Sequence, residues 1–254
     1  MKTALTIAGS DPTGGAGMQA DLRTFRSLGV YGTGVIAALT AQNTQGVYEV
    51  FDVPPVFFSR QLDVLLRDIS PDASKTGMLY SAETIKIVAE KVRLYAIKNF
   101  VVDPVTVSSG GTPLIENKAL EAMQKYLFPL ARTITPNIYE ASLFTGINIQ
   151  DDKDMKKAAM ALKESGPESV IITGGHLKER ALDLFFDGKE FLSLENEILD
   201  GEYHGTGCVF SSVITASLAL GFDIKEAVVK AKDFVLSAMR SAVPIGKGMK
   251  MLNF

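Results

Sequence analysis

Short runs of β-branched and apolar residues alternate along this chain with longer segments whose apolar positions recur every three or four residues. Thr3–Ala8, Gly34–Leu39, Ala73–Thr76, Phe100–Val102, Thr133–Thr135 and Val170–Ile172 read as strands. Met18–Leu28, Phe57–Asp68, Ala82–Ile97, Asn117–Leu127 and Asp152–Ser165 read as helices, with Ile85, Val88, Ala89 and Val92 marking one apolar stripe. This order predicts a mostly parallel sheet covered on both faces, because parallel strands need helical crossovers. Continuous apolar runs such as Val170-Ile171-Ile172 suit strands buried on both sides. Two segments depart from the alternation. Tyr48–Val53 reads as an added strand, a small flap, and Leu182–Phe186 with Phe191–Leu194 reads as a hairpin turning at Asp187-Gly188-Lys189.

The chain has 254 residues, 46% of them hydrophobic, and no internal repeat or linker marks a boundary, so one domain over residues 1–254 is expected. The formal net charge of -3, with both signs interspersed, supplies no attraction toward nucleic acid or anionic lipid. A single cysteine, Cys208, excludes an internal disulfide, and the two histidines leave little material for a zinc site. No export signal stands at the start, and a cytoplasmic protein is expected. Tyr203–Leu220 lacks any charged residue, but its glycine, serine and threonine content predicts a helix buried in a core rather than a membrane span.

Ligands of open parallel sheets bind beyond the carboxyl ends of the strands, and the segments there are chemically loaded. Gly9-Ser10-Asp11-Pro12-Thr13-Gly14-Gly15-Ala16-Gly17 is a glycine-rich loop opening a helix, where backbone can approach a ligand closely. It starts too late after its strand for a dinucleotide fingerprint, and no lysine follows as a P-loop requires. His204-Gly205-Thr206-Gly207-Cys208 leads into the uncharged helix Val209–Leu220, whose unpaired first amides suit a phosphate and favour the Cys208 thiolate. A small core residue is the alternative for that cysteine. Asn137 and Glu140 sit three apart at a helix start, either as a capping box or beside a magnesium ion, and the two roles are compatible. Asp103 ends another strand, and Thr173-Gly174-Gly175 follows Val170–Ile172 as a further phosphate-facing or merely strand-ending turn.

In order and spacing these segments resemble the ribokinase-like superfamily, and within it the hydroxymethylpyrimidine and phosphomethylpyrimidine kinases of thiamine biosynthesis. The matching stretches run almost end to end: Ala4–Pro12, Gly14-Gly15-Ala16-Gly17, Gln19–Leu22, Leu39–Thr44, Gly77-Met78-Leu79, Asp103-Pro104-Val105, Thr135-Pro136-Asn137, Glu140-Ala141, Gly174–Leu177 and His204–Cys208. The resemblance implies a three-layer α/β/α fold binding ATP and Mg²⁺. By position it implies an anion hole at Gly205, Thr206, Gly207 and Cys208, and substrate contacts at Gly9, Asp21, Gln42, Met78 and Val105. Asn137, Thr173, Gly174 and Gly175 would face the nucleotide, and Glu140 with Asp103 the metal. Cys208 stands where sugar kinases of the superfamily carry a catalytic aspartate, and Thr173 stands where many relatives carry a lysine. The expected reaction is phosphorylation of a hydroxymethylpyrimidine and its monophosphate, since the Gln42 amide can pair with an aminopyrimidine edge. A pyridoxal kinase on the same scaffold, a non-catalytic nucleotide-binding module and a cysteine hydrolase using His204 are the alternatives. An exposed strand at Tyr48–Val53 makes a homodimer plausible.

Overall fold

The computed structural model describes residues 1–108, 111, 113–177 and 180–254, with residues 117, 175–177 and 180 described in backbone only. In chain order the elements are β1 (Thr3–Ser10), α1 (Gly17–Ser27), β2 (Tyr31–Asn43), β3 (Gly46–Asp52), α2 (Pro55–Asp68), β4 (Ala73–Thr76), α3 (Ala82–Leu94) and β5 (Phe100–Val102). There follow α4 (Asn117–Ala122), β6 (Thr133–Ile134), α5 (Ile138–Thr145), α6 (Asp152–Glu164), β7 (Val170–Leu177), β8 (Arg180–Phe186) and β9 (Phe191–Asn196). The chain ends through β10 (Tyr203–His204), α7 (Thr206–Leu220), α8 (Ile224–Arg240) and β11 (Lys250–Met251).

Among the described residues nine strands form one sheet in the order β3-β2-β1-β4-β5-β6-β7-β8-β9. The six central strands are parallel, while β3 runs antiparallel on β2 at one edge and the β8–β9 hairpin completes the other. Side chains alternate across the strands and fill two cores. Leu5, Ile7, Phe100, Val102, Val170 and Ile172 face α2 through α6. Ala4, Ala73, Val101 and Ile171 face the layer of α1, α7 and α8. The result is the three-layer α/β/α arrangement that the resemblance implies.

Several boundaries differ from the sequence reading. The second strand is longer than expected and carries Thr40-Ala41-Gln42-Asn43 inside it, because pairing with β3 extends it past the core. The helix expected over Asn117–Leu127 is α4 followed by a wider turn at Met123–Leu127. The turn expected at Thr173-Gly174-Gly175 is strand: β7 runs on to Leu177 because β8 pairs along it. The short parallel pair of β10 with β11 ties the segment before α7 to the chain's last residues.

Candidate functional site

From β1 the chain steps one way to β2 and later the other way to β4, so the order reverses at β1 and a crevice opens between the loops following these strands. The loop after β1 is built around Asp11. This buried carboxylate accepts hydrogen bonds from the Thr13 and Ala16 amides and lies 2.8 Å from His204 Nε2. Burial pushes Asp11 up, but its bonds with His204 and Thr13 outweigh that and hold it below the ordinary aspartate value. The amide end of Gln42 lies 3.2 Å from the same ring nitrogen, and Thr40 donates to its oxygen. His204 thus joins the first loop to β2, with its Nε2 given to Asp11 and Gln42.

Glycines bring this loop against the start of α7. A Cβ on Gly205 would meet the Gly15 carbonyl oxygen at 1.9 Å, and Gly205 itself adopts φ +82°, where side chains are strained. A Cβ on Gly15 would meet Met251 at 2.4 Å and His204 at 2.5 Å. Helix α7 has no side-chain cap and no acidic residue in its first turn. Its first internal bond runs from the Val209 amide to the Gly205 carbonyl, which leaves the amides of Thr206, Gly207 and Cys208 ahead of it without a partner inside the helix. Gly207 is exposed, and nothing lies within 4 Å of where its Cβ would be. These features leave the Gly205–Cys208 turn with the open amides that an anion would need.

The Cys208 thiol behaves against expectation. Its residue keeps part of its surface open, yet the sulfur lies deep enough in protein that burial pushes the thiol up to about 12, opposed by Lys75 and aided by Asp21 and Asp103. Desolvation therefore outweighs the helix start, and the resting group is a neutral thiol rather than a thiolate.

Asp21 also requires correction. It is wholly buried and its oxygens are committed to Thr6, Lys75 and Ser212, so no face remains for a substrate. The other substrate-side residues converge. A Cβ on Gly9 would meet Met78 sulfur at 3.1 Å, and Met78 packs with Ala38 and Leu114 beside Val105 and Tyr80. A cavity of about 500 Å³ is lined by Pro12, Thr13, Gln42, Lys247 and Met251, so Gln42 alone of the predicted substrate contacts borders it. A cavity of similar size, about 530 Å³, lies at the opposite end of the sheet by Lys2, Asp72 and Gly221, away from every loop described above.

On the other side of the cleft, α5 begins with a capping box: Asn137 Oδ1 accepts from the Glu140 amide at 2.9 Å, and Glu140 Oε2 accepts from the Asn137 amide at 3.0 Å. Thr173 is bridged to Asn137, so these two predicted neighbours meet. Gly174 does not join them. Its amide is used by Asp183 at 2.9 Å, and a Cβ there would meet the Leu182 carbonyl at 1.9 Å, so the glycine serves strand packing. Gly175 continues the strand as backbone and is otherwise outside the described residues, as is the His176 side chain.

Glu140 is buried and raised to about 8, first by desolvation and then by the nearby charge of Asp103, while amide bonds from Asn137 and Thr106 oppose the shift. Asp103 is itself raised by burial, with Lys75 and Ser211 opposing. The Asp103 charge thus disfavours that of Glu140, and a divalent cation would relieve it. Among the described residues no group of three or more histidine, cysteine or acidic side chains comes together as a metal cage.

Residues 11–253 match the phosphomethylpyrimidine kinase family. The chain belongs to that family. A hydroxymethylpyrimidine/phosphomethylpyrimidine kinase of Bacillus subtilis is 42% identical over 96% of this chain and 92% of its own length. The thiamine biosynthesis bifunctional protein ThiED of Geobacter sulfurreducens is 47% identical over 98% of this chain, which spans about half (51%) of that longer relative. A solved structure of a Staphylococcus aureus pyridoxal kinase with pyridoxal superposes with a TM-score of 0.93 at 40% identity, covering 100% of this chain and 93% of that one. Membership of the family makes the chain a phosphotransferase.

The sequence pattern puts Asp11 in the glycine-rich loop and Lys75 in a strand without giving either side chain a role. A lysine in a four-residue strand of otherwise small residues, Ala73-Ser74-Lys75-Thr76, is the signal that pointed to a buried partner.

Proposed function

We propose that this phosphotransferase moves the terminal phosphoryl group of ATP to the hydroxymethyl oxygen of 4-amino-5-hydroxymethyl-2-methylpyrimidine and then to the resulting monophosphate. It acts as a single kinase domain over residues 1–254, in the cytoplasm and as a homodimer. The observation that carries the reading is the open start of α7 held against the first glycine loop by Gly205 and Gly15. Phosphoryl transfer asks little covalent work of a protein and much positioning and charge stabilisation. The acceptor ring lies over Gly9, Met78 and Val105, with Gln42 toward its amino edge. Amides of Thr206, Gly207 and Cys208 receive the oxygens of the transferring group as the bond from phosphorus to the departing ADP oxygen lengthens and the bond to the hydroxymethyl oxygen forms. The Cys208 thiol orients that hydroxyl, whose proton passes to an oxygen of the transferring phosphoryl group once the new bond has largely formed. Glu140 and Asp103 would hold Mg²⁺, which when bound neutralises phosphate charge, while Asn137 and Thr173 face the nucleotide.

Among the described residues no helix is long and apolar enough to cross a membrane. The homodimer is supported by the position of β3 at the edge of the sheet among the described residues and by the exposed apolar side chains Tyr48, Phe51, Val56, Phe57 and Val64 on β3 and α2. The likeness to a pyridoxal kinase favours a second reading, pyridoxal as acceptor. A panel of the pyrimidine alcohol, its monophosphate and pyridoxal with ATP and Mg²⁺, followed by product mass, separates the two. Phosphorylation of pyridoxal alone would replace the first reading with the second. Gln42→Ala is expected to impair the pyrimidine selectively, and equal losses for both acceptors would remove Gln42 from recognition.

A further inference from the structure

Lys75 is fully buried in β4, at the centre of the sheet. Its Nζ lies 2.7 Å from Asp21 Oδ1 and 3.8 Å from Asp103 Oδ2, and donates toward the Cys208 carbonyl at 3.4 Å. Each carboxylate also grips α7: Asp21 accepts from Ser212 Oγ at 2.7 Å, and Asp103 from Ser211 Oγ at 2.8 Å. The charged unit therefore holds three points in the first turns of one helix, at Cys208, Ser211 and Ser212, and ties them to β4, α1 and the end of β5. Stability alone does not explain it, because a buried ion pair is commonly matched or bettered by well-packed neutral side chains.

We propose that Lys75 and Asp21 form a positioning pair that fixes the axial register of α7, so that its open amides and Cys208 meet the acceptor oxygen in line with the phosphorus. This rests on the kinase reading above. Neither residue reaches the substrate. Both substrates rest on other surfaces, namely Gly9, Met78 and Val105 on one side and Asn137 on the other, so their binding is expected to survive loss of the pair. Turnover is not, because a displacement of about 1 Å at a reacting centre can cost about 100-fold in rate.

The test is a double variant, Lys75→Met with Asp21→Asn, which removes the buried cation together with one of its two carboxylates and leaves Asp103 to bind a proton. Expected are a thermal midpoint near the parent's, KM for both substrates within about threefold, kcat lower by about 10- to 100-fold, and a larger share of ATP lost to water rather than transferred. A folded double variant with parental kcat and parental transfer ratio overturns the proposal. Should the double variant not fold, Ser212→Ala takes its place by removing one hydroxyl between Asp21 and α7. A fall in its kcat at unchanged KM supports the inference, and parental kcat overturns it. A parent chain that transfers no phosphoryl group overturns the kinase reading and this one together, whereas an active parent with an unaffected variant overturns only this one.

Discussion

Helix α5 closes its own start, and α7 leaves its start open. At α5 the side chains of Asn137 and Glu140 occupy the first amides reciprocally. At α7 the cap is Gly205, which has no side chain to offer, and the first turn holds Thr206, Gly207 and Cys208 with no carboxylate among them. A polar cap is worth about 1 kcal/mol and an acidic first-turn residue about 0.3–1 kcal/mol. The α7 start forgoes both, in a helix otherwise buried on every side. Donors that the helix leaves open beside a glycine loop suit an anionic ligand, so the missing cap supports the proposed reading.

The comparison is broken most directly by closing α7 with its own charge. Gly207→Asp fits sterically, since nothing lies within 4 Å of the new Cβ. A carboxylate there competes with the phosphoryl group for the same amides. Turnover is expected to fall about 10²- to 10³-fold, the cost typical of losing one oxyanion donor, while the thermal midpoint holds or rises. Parental kcat in this variant would show that the phosphoryl group passes elsewhere.

Cys208→Ser is expected to lower kcat by about 10- to 100-fold with KM changed less than about threefold, because the hydroxyl that it orients is already bound. The pH profile identifies the working form of the residue. A thiol held at about 12 is ionised in a minute fraction of molecules near neutrality. Orientation by the neutral thiol predicts that kcat stays level between pH 7 and 9 at saturating substrate. A rise of about tenfold per pH unit, abolished in the serine variant, would assign the chemistry to the thiolate instead.

The fold was legible because period and order depend on local residues. Strands with apolar positions on both faces and helices with one stripe announce a covered parallel sheet. At the site, what could be read was what glycine and proline fix in the backbone, namely the loop after β1, the start of α7 and the Asn137 turn. Roles that depend on depth were not legible. Asp21 resembles a substrate contact in sequence, but contact between α1 and α7 seals it beneath the cleft. Gly174 resembles a phosphate-facing turn, but β8 pairs along it and takes up its amide through Asp183. For Cys208, sequence revealed the favourable helix start but not the desolvation that outweighs it.

Glu140 sharpens the α5 side through stability rather than rate. Its folded-state value, about 8, lies above the ordinary 4.5, so the native protein binds a proton that the unfolded chain has released between those values. Its contribution is full below about 4.5 and declines as pH rises toward 8, by up to about 1.4 kcal/mol per pH unit for one proton. Glu140→Gln is expected to flatten that slope in urea midpoints taken from pH 5 to 9, and to raise the Mg²⁺ concentration needed for half-maximal turnover. A slope unchanged in the variant would assign the titration to a different group.

The smallest effects come from two caps that look alike. Helix α8 begins with Asp223 and Glu226 in the same reciprocal arrangement as Asn137 and Glu140. It starts just past the far end of α7, whose 15 residues span roughly 22 Å. Asn137→Ala and Asp223→Ala should each cost about 0.5–2 kcal/mol of stability, since each removes one side-chain acceptor from a helix start. Only the first should alter catalysis, raising KM for ATP several-fold, because only α5 opens onto the cleft beside Thr173. Matched losses of stability with kinetics changed in one variant alone would separate a cap that also faces a ligand from one that serves only its helix. Unchanged KM for ATP in Asn137→Ala would leave the α5 start as closed in function as it is in structure, and would move the nucleotide contact to other residues around the cleft.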